Sequence, residues 1–220
     1  MVILITGATH VGKTLLAQRM LEQYHFPCLS IDHLKMGLIR SGYTTLTPED
    51  DEELTGYLWP VVREMIKTAI ENRQNLIVEG CYIPFDWRND FDPDYLPAIR
   101  FVCLAMSDAY IDGHFREIRE HASEIESRLY DEDLSAEQLK AENRAYIEGC
   151  RANAEPVTII DGDYEGTIWR IVASLNICSA EPECSAGDAG THCRCGADGL
   201  VHDGSEGNGC RIPAVPLGGI

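Results

Sequence analysis

Gly7-Ala8-Thr9-His10-Val11-Gly12-Lys13-Thr14 follows directly on the apolar run Val2-Ile3-Leu4-Ile5-Thr6. It leads into Lys13–Tyr24, where Leu15, Leu16, Arg19, Met20 and Tyr24 recur at helical spacing. The octapeptide matches G-x-x-x-x-G-K-[ST] in full, in the strand-before, helix-after context that the motif requires. Its chemistry follows from the residue types. Gly7 and Gly12 let the backbone curl until the N–H groups of Ala8, Thr9, His10 and Val11 turn inward toward phosphate oxygens. The helix opening near Lys13 adds its positive dipole end. Lys13 has the reach for β- and γ-phosphates, and the Thr14 hydroxyl suits Mg²⁺. The ligand expected here is a nucleoside triphosphate, ATP rather than GTP, with Mg²⁺.

Further strands are expected at Cys28–Ile31, Asn75–Val78, Ile99–Ala105 and Val157–Ile160, with helical patterns between them. One such pattern is Leu54–Asn72, where Leu58, Val61, Val62, Met65, Ile66 and Ile70 form an apolar stripe. Short strands buried on both faces and separated by helices predict βαβ units and a parallel sheet. The expected fold class is α/β, three-layered, with a five-stranded parallel sheet over residues 1–178.

The chain has 220 residues, 45% of them hydrophobic, enough for one domain with a core. Lys and Arg number 18 against 36 Asp and Glu, a net charge of −18. That argues against holding nucleic acid through a broad basic face, because phosphates need cationic neutralisation. No run approaches the roughly 18 apolar residues of a membrane span. Met1–Thr6 reads as a strand rather than a signal-peptide core. Cys28, Cys81 and Cys103 sit in or beside apolar runs and read as interior free thiols of a cytoplasmic protein.

The order of motifs along residues 1–178 resembles the small P-loop kinases, the group that includes adenylate, shikimate, gluconate and chloramphenicol kinases. The shared features are the N-terminal loop, Asp32 after the second strand, the Glu79-Gly80 turn after the third, an Arg-bearing lid over about 108–150, and a final strand and helix. A guanine-specific Asn/Thr-Lys-x-Asp run and a strand ending in Asp-Glu, as in motor ATPases, are both missing from the sequence. The resemblance implies transfer of the γ-phosphoryl of ATP to a small acceptor, with a hydroxyl-bearing metabolite or antibiotic favoured. A nucleoside monophosphate kinase and a non-catalytic nucleotide-binding regulator are the alternatives.

It also implies roles for particular residues. Ligands of open parallel sheets bind beyond the carboxyl ends of the strands. There Asp32 would orient or deprotonate the acceptor hydroxyl, or cap a helix, or both. Lys35 stands where nucleotide-phosphate kinases usually carry Arg, with Arg40 further on; either would grip an acceptor phosphate or be a surface cation. Glu79 would take a water on Mg²⁺ or meet the acceptor, and Gly80 permits close backbone approach. Tyr82, Phe85, Trp87 and Arg88 read either as an acceptor pocket or as loop anchors. Arg116, Arg119 and Arg128 supply the lid cations from which at least one would reach the migrating phosphoryl. Against this, Glu117, Glu120 and Glu124 offer them local partners on a solvated face. The loop Asp161-Gly162-Asp163-Tyr164 would border the nucleotide base.

From Ser179 the texture changes. The last 42 residues hold 9 of the 19 Gly and 4 of the 9 Cys, a composition that predicts a flexible tail. Cys184, Cys193, Cys195 and Cys210 contain no C-x₂-C pair, which disfavours a zinc site.

Overall fold

The computed structural model describes residues 1–121 and 134–175. The Gly- and Cys-rich tail and Arg128 lie outside the described residues, and all elements below belong to the unit Met1–Ser179. In chain order these are β1 (Val2–Gly7), α1 (Lys13–Tyr24), β2 (Cys28–Ser30), α2 (Ile31–Arg40), α3 (Asp51–Glu71) and β3 (Leu76–Glu79). They continue with β4 (Ile99–Met106), α4 (Asp108–His121), α5 (Ala136–Ala152), β5 (Thr158–Ile160) and α6 (Tyr164–Ser174). The five strands form one parallel sheet in the order β2-β3-β1-β4-β5. Ile5 stands opposite Glu79 on one side and Val102 on the other, so β3 stops two residues before β1 does and β4 runs two residues past it.

Strand β1 is central, and all six of its residues are buried. Alternation then sorts its side chains. Val2 and Leu4 join Leu54, Leu58, Val62 and Ile66 of α3. Ile3 and Ile5 join Leu16 and Met20 of α1 and Ile168 and Val172 of α6. Each such fully buried aliphatic contributes about 1.5–3 kcal/mol. Helix α5 supplies Leu139 to one layer and Cys150 to the other, so it passes across the carboxyl end of the sheet. Among the described residues no helix is long and apolar enough to cross a membrane.

Three expectations are corrected. Ile31 is not in β2 but opens α2, with Ser30 as the flanking cap residue, because the chain turns as soon as it clears the sheet. Val61 and Met65 are exposed rather than buried; they line an open groove of about 1210 Å³ together with Tyr24, Pro27 and Leu76. The apolar stripe of α3 is therefore wider than the face it packs with. Cys28 is exposed because β2 is an edge strand, whereas Cys103 and Cys150 are buried free thiols.

Candidate active site

The turn after β1 is built as its residue types require. His10 and Gly12 adopt left-handed backbone, at φ 60° and 92°, and these turns curl the loop. Gly12 has a second constraint: a Cβ there would collide with the hydroxyl of Tyr164, the first residue of α6, which lies 3.5 Å from the Val11 carbonyl. Burial pushes the Tyr164 hydroxyl up to about 12, so it stays a neutral donor against the loop. Lys13 opens α1 and is only 7% exposed; its Nζ donates to the Ala8 carbonyl at 2.8 Å. Thr14 Oγ1 donates to Glu79 Oε2 at 3.4 Å. Glu79 ends β3 and is 1% exposed, so a carboxylate and a hydroxyl converge at the foot of the loop.

Past the ends of β2 and β3 lies a polar chain. Asp32 is the second residue of α2, and Lys35 Nζ meets its Oδ1 at 2.9 Å. Lys35 also donates to Tyr82 Oη at 2.8 Å, and Tyr82 donates to Asp51 Oδ1 at 2.8 Å. The capping alternative for Asp32 is not what the helix uses: the cap position is Ser30, without a side-chain cap bond. Burial, chiefly, and contact with Cys81 and Asp51 hold the Tyr82 hydroxyl protonated well above its usual range. Gly80 has φ 154°, and a Cβ there would press on Ile31, so the turn can lie this close only as glycine. The half-buried Cys81 thiol lies within electrostatic range of Lys13, Asp32, Asp51 and Lys35. Burial first, then the two aspartates, raise that thiol to about 11 against the opposing lysines.

Other expected residues are not brought to this point. Arg40 ends α2, eight residues past Asp32, roughly 12 Å along the helix axis, and is exposed. The Arg116 side chain is 90% exposed and bound to Glu120 at 2.8 Å; Arg119 is exposed on the same helix. Trp87 is core, stacked on Phe101 at 5.7 Å. Arg88 instead forks onto the buried carboxylate of Glu155. Phe85 packs edge-on against Tyr146 and fills the space beside Gly149. Of that aromatic group, Tyr82 alone joins the polar chain. Asp161 accepts from Ser107, and Asp163 caps α6 by accepting from Gly166 N at 2.9 Å.

Sequence reasoning passed over Glu142 and Asp51, and it expected Tyr164 beside the nucleotide base rather than against the loop. Glu142 of α5 accepts from both Thr9 N and Thr9 Oγ1 at 2.8 Å, across 133 residues. Tyr164 reaches the loop across 153 residues, and Asp51 reaches Tyr82 across 31. No local pattern marks any of them. Among the described residues no group of three or more His, Cys, Asp or Glu side chains could hold a metal ion by itself.

No protein-family model matches the chain, and no curated protein matches it in sequence. Solved structures do. A deoxyadenosine kinase from M. mycoides with bound dATP is 16% identical; the match covers 80% of this chain and 99% of that one, with a TM-score of 0.50. A shikimate kinase from Bacteroides thetaiotaomicron is 17% identical over 79% of this chain and 97% of its own, with a TM-score of 0.46. A sugar kinase from Janibacter sp. HTCC2649 is 15% identical over 81% and 96%, with a TM-score of 0.45. The likeness is one of fold, which the chain shares with the deoxyadenosine kinase structure.

Proposed function

We propose that this protein transfers the γ-phosphoryl of ATP to a hydroxyl group of a small acceptor. The observation that carries the reading is that the Lys13 ammonium, the Thr14–Glu79 pair and the Asp32–Lys35–Tyr82 chain all stand at or just past the ends of three adjacent strands, β2, β3 and β1. In this reading the N–H groups of the loop from Gly7 to Thr14 cradle the phosphates, and the Lys13 ammonium leaves the Ala8 carbonyl for the β- and γ-phosphate oxygens. The Thr14 hydroxyl and the Glu79 carboxylate are hard oxygen donors 3.4 Å apart, a set that suits Mg²⁺ accompanied by phosphate and water. When bound, that ion neutralises charge on the phosphates.

Asp32 orients the acceptor hydroxyl and takes its proton, and Lys35, held between Asp32 and Tyr82, fixes the carboxylate's direction. Buried walls and the neutral Tyr82 hydroxyl keep bulk water from competing for the phosphoryl. Residues 1–178 form the kinase domain, with Gly80 giving the acceptor its close approach. The lid over about 108–150 supplies a cation from Arg116, Arg119 or Arg128. The described arms α4 and α5 are joined by ion pairs, Lys140 with Asp112 and Arg144 with Asp108.

Lys35 is already paired, and Arg40 stands two turns away. Neither is a ready grip for an acceptor phosphate, which favours a hydroxyl acceptor over a nucleoside monophosphate. The similar deoxyadenosine kinase is named for a hydroxyl compound too. The test is acceptor-dependent ATP turnover across sugars, polyols, nucleosides, nucleoside monophosphates and hydroxylated antibiotics. Stimulation by one hydroxyl acceptor, abolished in Asp32→Asn, supports the reading. Stimulation by monophosphates alone would replace it with the nucleotide kinase alternative.

A further inference from the structure

Glu142 holds a position that the proposed reaction does not use. One of its carboxylate oxygens, Oε1, accepts two hydrogen bonds from a single residue of the loop, Thr9 N and Thr9 Oγ1, both at 2.8 Å. Backbone N–H groups of such a loop are the donors that phosphate oxygens take. The contact also lies at a defined end of the loop. Lys13 Nζ rests on the carbonyl of Ala8, the residue next to Thr9, and this lysine serves the β- and γ-phosphates. A carboxylate therefore sits where the terminal phosphoryl group arrives.

The arm that carries it is well anchored. The adjoining Asn143 is fully buried; its Oδ1 accepts from Met106 N of β4 at 2.6 Å, and its amide donates to Leu139 O at 2.7 Å. One turn on, Tyr146 donates to the Cys81 carbonyl at 3.3 Å. Glu142 is thus presented to the loop by a helix anchored immediately after it, to β4 through Asn143 and to the turn following β3 through Tyr146.

We propose that Glu142 is the residue through which the site distinguishes a nucleoside triphosphate from a diphosphate. Its carboxylate stands in for a γ-phosphoryl oxygen in the nucleotide-free loop. ATP has to displace that carboxylate or bind beside its charge, whereas ADP, which ends at the β-phosphate, leaves the Thr9 contact in place. This inference rests on the kinase reading and deepens it by assigning a residue that sets nucleotide selectivity. Glu142 is a positioning residue for Thr9 and touches the nucleotide through that competition.

The experiment is calorimetric titration of the full chain with MgATP and with MgADP, for the wild type, Glu142→Gln and Glu142→Ala. Gln keeps an acceptor oxygen for Thr9 and removes the charge; Ala removes both. Two like charges about 4 Å apart repel strongly at a partly buried site, so both variants are expected to bind MgATP about tenfold or more tighter, with MgADP changed less than about threefold. A merely structural Glu142 would weaken both nucleotides together. Equal changes for ATP and ADP, or weaker ATP binding in either variant, would overturn the proposal. A wild type that binds neither nucleotide would overturn the kinase reading itself, and this proposal with it.

Discussion

Replacing Lys13 with Met removes an ammonium from a nearly closed pocket while keeping most of the side chain's volume. Lys13 is 7% exposed and donates to one neutral acceptor, the Ala8 carbonyl at 2.8 Å. None of the ion pairs among the described residues includes it. A charge held this way costs more in desolvation than a neutral partner returns, so Lys13→Met should stabilise the nucleotide-free protein by about 1 kcal/mol. For a chain of this size that corresponds to a rise in Tm of about 2–4 °C. The same ammonium becomes favourable once phosphate oxygens are its partners. MgATP at a hundred times its Kd should stabilise the wild type by about 2.7 kcal/mol, a shift of roughly 5–11 °C. Losing charge-assisted bonds to phosphate weakens ATP about a hundredfold, so at that concentration the variant's shift falls to about 1 °C. Thermal melts of both proteins with and without MgATP read these opposed signs together. A Lys13→Met protein that is less stable than wild type by more than about 1 kcal/mol, or that keeps the full ATP shift, would refute the reasoning.

Asp32→Asn should lower acceptor-dependent turnover by about 10²- to 10⁴-fold while leaving the MgATP thermal shift intact, as loss of an acceptor-side base requires; turnover within threefold of wild type would remove Asp32 from the chemistry. Arg88→Ala leaves the Glu155 carboxylate, whose side chain is 1% exposed, without its fork, and should cost about 3–5 kcal/mol, read as the urea midpoint. Adding Glu155→Leu to that variant should restore most of the loss, and no recovery would mean that the site depends on the charge itself. Cys81, raised to about 11, should alkylate at pH 8 roughly a hundredfold more slowly than an ordinary thiol of 9.0, with the rate still climbing toward pH 11. By linkage its raised value contributes stability that is complete below pH 9 and lost as pH rises through about 11. A labelling rate that levels off near pH 9 would contradict its burial among Asp32 and Asp51.

Much of the fold was legible because its signals are local. The strand, glycine loop and helix of residues 2–24 declare themselves in consecutive residues, and α1 runs over Lys13–Tyr24 as its periodicity says. The buried strands β1 and β4 read as apolar runs, whereas the edge strands β2 and β5 read as short β-branched or mixed runs of which only three residues each form strand. What periodicity lacks is depth. Val61 and Met65 share the spacing of the α3 core stripe yet face an open groove, since apolar spacing does not tell which of two flanks a neighbour will cover. Trp87 beside the cleft in sequence turns into the core because Phe91 and Phe101 offer it edge and face partners. The site divides the same way. Thr14 and Lys13 follow from the motif, and Lys35 finds Asp32 because the two are three apart on one helix. The contacts of Glu142, Tyr164 and Asp51 depend on strand order and on where α5 crosses the sheet, and sequence spacing does not encode either.

The central claim is phosphoryl transfer to a small hydroxyl acceptor, and the most direct measurement is passage of label from γ-labelled ATP into acceptor. The full chain would be incubated with Mg²⁺ and the acceptor panel, beside a Lys13→Ala control. The account predicts label in one class of hydroxyl compound, with none above background in the control. Label released only as inorganic phosphate, at one slow rate whatever acceptor is present, would contradict it.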